Sequence, residues 1–168
     1  GYTYFYQVVD FKENITIEER NKLEEVLYSS NILGAKIINP QDINKIKKLN
    51  VNYLMPSDAK KDNLTKYLVP VKNDIVEESY ITKILKSISI SDKDILSLNL
   101  DGFKFDFLKG SISSNYENKY IGLLARENLR KKKIAELKEE INILNKKISS
   151  IQGIIFSLNS RINKVDEE

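Results

Sequence analysis

From Ile134 to Val165, aliphatic residues recur at alternating steps of three and four with no polar break. Written as heptads, Ile134, Ile141, Ile148, Ile155 and Ile162 fall at a, and Leu137, Leu144, Ile151, Leu158 and Val165 fall at d. A helix lying on a globular core carries a broader stripe at period 3.6, so a strict 3.5 repeat predicts a supercoiled partner. At 1.5 Å of rise per residue the repeat forms an arm of about 48 Å. Its seam needs a second helix, and no other segment of the chain is long enough to provide one. Ile at a with Leu at d suits a parallel dimer. The e positions Lys138, Asn145, Gln152 and Asn159 are mostly uncharged, however, and specify self-pairing weakly. An antiparallel helix from elsewhere in a longer chain fits equally well. Gly153 falls at f, facing water, at a cost of about 1 kcal/mol.

The periods ahead of this arm are shorter. Residues 3–9 are aromatic and β-branched and predict a strand. Thr16 stands three residues before Glu19, a capping box for a helix reaching about Ser30. Its buried stripe would be Leu23, Val26 and Leu27, extending to Asn31-Ile32, with Gly34 ending the helix in the left-handed conformation. Ala35–Ile38 reads as a second strand, and Gln41–Leu49 as a short helix on Ile43, Ile46 and Leu49. Val51–Leu54 and Tyr67–Val69 suit strands, while Pro56 and Pro70 exclude a helix through 51–74. The polar residues between them read as a mobile surface loop. Residues 75–88 regain helical period through Val76, Tyr80, Ile81, Ile84, Leu85 and Ile88.

Leu96, Leu98 and Leu100 alternate, as do Phe103, Phe105 and Phe107, with Asp101-Gly102 between the two runs. This pattern predicts a two-residue type I′ hairpin pairing Leu100 with Phe103, Leu98 with Phe105 and Leu96 with Phe107. All six would then share one face, each contributing about 1.5–3 kcal/mol on burial before entropy is counted. Lys109-Gly110 reads as a second turn leading to a third strand at 111–113. The terminal helix is expected to begin near Glu117–Lys119, dock through Tyr120, Ile121, Leu123, Leu124 and Leu129, and leave the domain near Arg130. The resulting architecture is α+β: a globular domain over 1–118 with a Leu/Phe hairpin and three short helices, a neck over 119–133 and a coiled-coil arm over 134–168.

Composition narrows the chemistry. The 168 residues include no Cys and no His, removing a thiol nucleophile, a disulfide framework, Cys-ligated zinc and the commonest general base. No cofactor is implied, and no catalytic or metal-binding residue is assigned. A net charge of +3 is too small to indicate a nucleic-acid binder by itself. There is no apolar run long enough to span a membrane and no signal-peptide start, so the expected location is cytoplasmic. Asp58-Ala59-Lys60 faintly resembles a metal-dependent nuclease core, but it sits beside Pro56 in an expected loop and lacks adjoining acidic strands. The pairs Glu18-Glu19, Glu24-Glu25, Glu77-Glu78 and Glu139-Glu140 point about 100° apart on their helices and read as solvated faces. Arg130, Lys131, Lys132 and Lys133 form the densest basic run, read either as a solvated collar or as a DNA contact, with the collar preferred. Lys45, Lys47, Lys48, Lys60 and Lys61 are more scattered.

Two groups of motifs add a resemblance. The first is Tyr4-Phe5-Tyr6-Gln7-Val8-Val9-Asp10-Phe11, then Glu18-Glu19-Arg20 and Leu23-Glu24-Glu25-Val26-Leu27. The second is Asp101-Gly102-Phe103, Gly110, Tyr120-Ile121-Gly122 and Ala125-Arg126-Glu127, opening into Ile134-Ala135-Glu136-Leu137. Their order and spacing resemble the central region of the SMC-like, MukB-related coiled-coil ATPase subunits (JetC) of Wadjet-type bacterial anti-plasmid systems. Gly34 and Asp106 depart from the family's pattern. The resemblance implies a non-catalytic hinge that homodimerises through its globular domain, with ATPase heads outside this segment and plasmid cleavage by a separate subunit. It also implies a returning arm that starts at the neck and pairs with an outgoing arm preceding Gly1.

Overall fold

Thr16 caps the first helix through the expected box: its Oγ1 accepts the Glu19 amide at 3.2 Å, and Glu19 Oε2 accepts the Thr16 amide at 2.9 Å. The computed structural model describes residues 1–46, 50–113 and 115–167. In it α1 spans Ile17–Ser29 and buries Leu23, Val26 and Leu27. Gly34 does not end this helix. Asn31 takes the left-handed position with φ 62°, and the Ile32 and Asn31 amides bond the carbonyls of Leu27 and Tyr28 at 3.0 and 3.1 Å. That is a Schellman closure with asparagine in glycine's usual place. We expect Asn31→Ala to lower the unfolding free energy by about 1 kcal/mol in denaturant titration, and Asn31→Gly to preserve or raise it.

The strand expected over 3–9 is broken. β1 (Tyr2–Tyr4) and β2 (Val9–Phe11) flank a 3-10 turn at Phe5–Gln7. Gln7 Oε1 accepts the Tyr4 amide and the Thr3 hydroxyl, curling the chain back. The turn changes the alternation, so Phe5, Val8 and Val9 are all buried. The two halves serve different sheets. β1 pairs antiparallel with β3 (Lys36–Ile38), which pairs parallel with β4 (Tyr53–Leu54), and β2 pairs antiparallel with β5 (Leu68–Pro70).

Between β3 and β4 lie a 3-10 turn at Pro40–Asp42 and α2 (Ile43–Ile46). Lys47, Lys48 and Leu49, where that helix was expected to continue, lie outside the described residues. α3 spans Glu78–Ser87 and buries Ile81, Ile84 and Leu85. The polar stretch after Pro56 is tied to the end of α3, with the Ser57 amide on Ser87 Oγ at 2.7 Å and the Lys60 amide on the Lys86 carbonyl at 2.8 Å.

The hairpin forms in a register shifted by two from the expected one. β6 (Leu96–Asn99) and β7 (Gly102–Phe105) pair Leu98 with Phe103 and Leu96 with Phe105, so Leu100-Asp101 is the turn. Neither turn residue has positive φ, so the type I′ geometry is absent. Asn99 Oδ1 accepts the Asp101 and Gly102 amides at 2.8 and 2.9 Å, fixing the turn one step early. Gly102 belongs in the strand, because a Cβ there would lie 2.0 Å from the Gly110 carbonyl oxygen. Gly110 is not a turn residue either. It lies in β8 (Leu108–Ser111) under the Phe103 ring, and the second turn is Asp106-Phe107, with Asp106 at φ 55°. The six-residue apolar face is therefore incomplete. Leu98 is buried, but Leu96 is exposed and Phe107 is 94% exposed at the turn.

These elements form a small mixed α/β domain whose core joins Phe5, Leu23, Leu27, Ile37, Leu68 and Leu85, with Ile121 closing it. The long helix α4 spans Leu123–Glu167. The chain divides into two compact units, Gly1–Arg126 and Glu127–Glu168.

Candidate functional site

In the unit Glu127–Glu168, all ten predicted seam residues lie on α4 and all are exposed, from 42% at Ile134 to 70% at Val165. Ile143 at c, Ile154 at g and Phe156 at b are also exposed and widen the apolar surface of the arm beyond the seam. Arg130, Lys131, Lys132 and Lys133 are exposed on the same helix. Four consecutive residues at 100° per step surround a helix rather than line one face, so these cations make a ring, not a stripe.

In the unit Gly1–Arg126, the helix begins later than expected. Residues 116–121 run up to it without helical structure, and Leu123 and Leu124 are exposed rather than docked. The cause is Glu24, which is 0% exposed; with Glu25, also buried, it corrects the expectation of a solvated acidic pair. Glu24 Oε1 accepts the Lys119 and Tyr120 amides at 2.9 and 3.0 Å and the Tyr116 hydroxyl at 2.9 Å. Its Oε2 accepts the Ile121 amide at 2.8 Å and the Asn118 side-chain amide. Glu25 Oε1 accepts the amide and hydroxyl of Ser113 at 2.8 and 2.6 Å.

Two adjacent carboxylates on α1 thus hold the segment leading into α4. Burial, reinforced by the Glu24 charge, pushes the Tyr116 phenol well above its ordinary pKa. Asn21 Oδ1 accepts the Asn118 amide at 2.8 Å, and the Arg126 guanidinium donates to the carbonyls of Tyr6 and Tyr120 at 3.2 and 3.0 Å. Gly122, at φ 96°, turns the chain from this clasp into the helix. Spacing along the chain gave no sign of the clasp, since Glu24 bonds residues more than ninety positions away.

Asp58 and Lys60 are exposed in their loop, and the described residues contain no group of three or more acidic side chains placed to hold a metal ion. Among the described residues, no helix is long and apolar enough to cross a membrane. Comparison of the chain with family models, curated proteins and solved structures finds no match.

Proposed function

We propose that the chain is the hinge and dimerisation region of an SMC-like coiled-coil ATPase of the Wadjet type, acting on plasmid DNA in bacterial defence. The globular unit joins two copies, and α4 is the returning strand of an arm completed by a helix from the preceding part of the full-length protein. ATP hydrolysis belongs to heads outside this segment. The observation that carries the reading is the unbroken seam from Ile134 to Val165, exposed at all ten positions. The motif order shared with that family also supports it, as does the Glu24–Glu25 clasp, which anchors the segment leading into α4.

The test separates the two interfaces. With Leu144→Lys and Ile151→Lys breaking the seam, the chain should remain a dimer in sedimentation equilibrium through its globular unit. A strict monomer at high concentration would refute hinge dimerisation.

The exposed ring Arg130–Lys133 favours a second reading, in which this collar binds DNA phosphates. Reversing Lys131, Lys132 and Lys133 to Glu should then weaken duplex binding and flatten its salt slope by about 0.9 for each phosphate no longer neutralised. An unchanged slope returns the collar to a solvated role.

A further inference from the structure

Six of the chain's nine tyrosines form one contiguous group within Gly1–Arg126. Tyr2 meets Tyr4 edge-on with ring centroids 5.9 Å apart, Tyr4 stacks on Tyr6 at 5.8 Å with planes 11° apart, and Tyr6 leans on Tyr120 at 5.6 Å. The Lys119 ammonium lies 5.9 Å from the Tyr120 ring and 5.0 Å from the Tyr116 ring, and Tyr116 stands 6.2 Å from Tyr28. At the far end the Lys36 ammonium sits 4.1 Å from the Tyr2 ring. None of the six rings is fully buried: Tyr2 and Tyr28 are exposed, Tyr4 and Tyr116 are half-buried, and the half-buried Tyr6 and Tyr120 also pack against the core, so core packing accounts for only part of the grouping.

Between Tyr6, Tyr28 and Tyr120 opens a cavity of about 260 Å³, with Asn31 and Asn52 also on its wall. Ring faces suit a planar aromatic occupant, and each amide offers both a donor and an acceptor to the edge of such a ring. Ammonium groups at both ends of the row suit phosphates, and the Glu24 carboxylate beside Lys119 is already occupied by its own donors. A nucleobase with its phosphate combines these features. The row continues past the cavity along β1, which a single nucleotide would leave uncovered.

We propose that this tyrosine surface binds single-stranded nucleic acid, with one base seated between Tyr6, Tyr28 and Tyr120, further bases stacked on Tyr4 and Tyr2, and Lys36 and Lys119 on the phosphates. The site goes beyond the hinge reading and does not depend on it. It is also separate in residues from the Arg130–Lys133 collar.

Fluorescence anisotropy with a labelled oligothymidylate and the full 168-residue chain tests the assignment. The oligonucleotide should bind more tightly than thymidine monophosphate and more tightly than a duplex of equal length. The pair Tyr4→Ala and Tyr28→Ala should lose about tenfold or more in affinity, while Tyr4→Phe and Tyr28→Phe, which keep the π faces, retain it. Tyr28 is 60% exposed, so Tyr28→Ala alone gives a folded variant if the pair is destabilised. Lys36→Glu with Lys119→Glu should flatten the logarithmic salt slope by about 1.4, as expected for two single-strand phosphates. Four results would overturn the proposal: no binding, equal affinity for duplex or mononucleotide, indifference to the alanine changes, or loss only when the collar is reversed.

Discussion

Glu24→Ala is expected to destabilise the domain by about 3 kcal/mol or more, through donors left without an acceptor rather than through reduced apolar packing. Five groups bond this carboxylate, three of them backbone amides at Lys119, Tyr120 and Ile121. A buried donor without a partner costs about 1–3 kcal/mol, and water can replace the acceptor only toward the partly exposed Tyr116–Tyr120 side. Ile121 is 1% exposed, so its amide suffers most. Thermal unfolding should show a fall of roughly 10 °C. Hydrogen exchange at the amides of 119–121 should accelerate more than in the centre of α1. Glu24→Gln keeps one acceptor oxygen but turns an NH₂ toward the remaining donors, so it should fall between the two. A loss below about 1 kcal/mol for the alanine variant would mean the donors find other partners.

The second large effect concerns the seam. The chain is expected to self-associate through α4, and Ile148→Lys should weaken that association by about two to four orders of magnitude. The estimate follows from burial of about 1.5–3 kcal/mol per aliphatic side chain, counted once in each of two helices, at 1.4 kcal/mol per decade. Because the globular unit is proposed to hold two copies together without the seam, the concentration dependence of the helical circular dichroism of α4, rather than mass alone, measures it, and the same change at the exposed f position, Gly153→Lys, is the control. Because the sequence lacks cysteine, one introduced thiol reports the pairing direction without interference. Cysteine at Ile134 should cross-link to itself in a parallel pair and stay reduced in an antiparallel one. Unaltered association in Ile148→Lys would remove the seam from the account of assembly.

Local signals in the sequence proved the readable ones. Thr16 and Glu19 find each other within a single helical turn, so the capping box and α1 follow from four residues. The period of Ile81, Ile84 and Leu85 placed α3 without reference to anything else. What failed involved a side chain acting on backbone or a partner far along the chain. The hairpin kept its alternating faces but moved by two, because Asn99 accepts two amides and claims the turn before Asp101-Gly102 can form one. Gly102 and Gly110 looked like turn residues, yet each is required where β7 and β8 leave no room for a Cβ. Asn31 displaced Gly34 at the helix end by a tolerance the two residues share. Glu24 and Glu25 read as solvated because adjacency in sequence says only that they diverge on the helix. Their burial depends on Ser113 and on residues 116–121, where Tyr120 and Ile121 read as a docking patch but the polar residues before them announce no contact with α1. The tyrosine group was equally hidden, since Tyr120 joins Tyr4 and Tyr6 only after the chain has folded.

The clasp also has a mechanical meaning. Tension carried along α4 toward the domain meets the Arg126 bonds to the Tyr6 and Tyr120 carbonyls, then passes through Gly122 to Ile121, Tyr120 and Lys119. Three consecutive amides on one carboxylate share that load, so a pull must break several charge-assisted bonds rather than one before the segment comes free. Glu24, rooted in the middle of α1, therefore passes the load into the core.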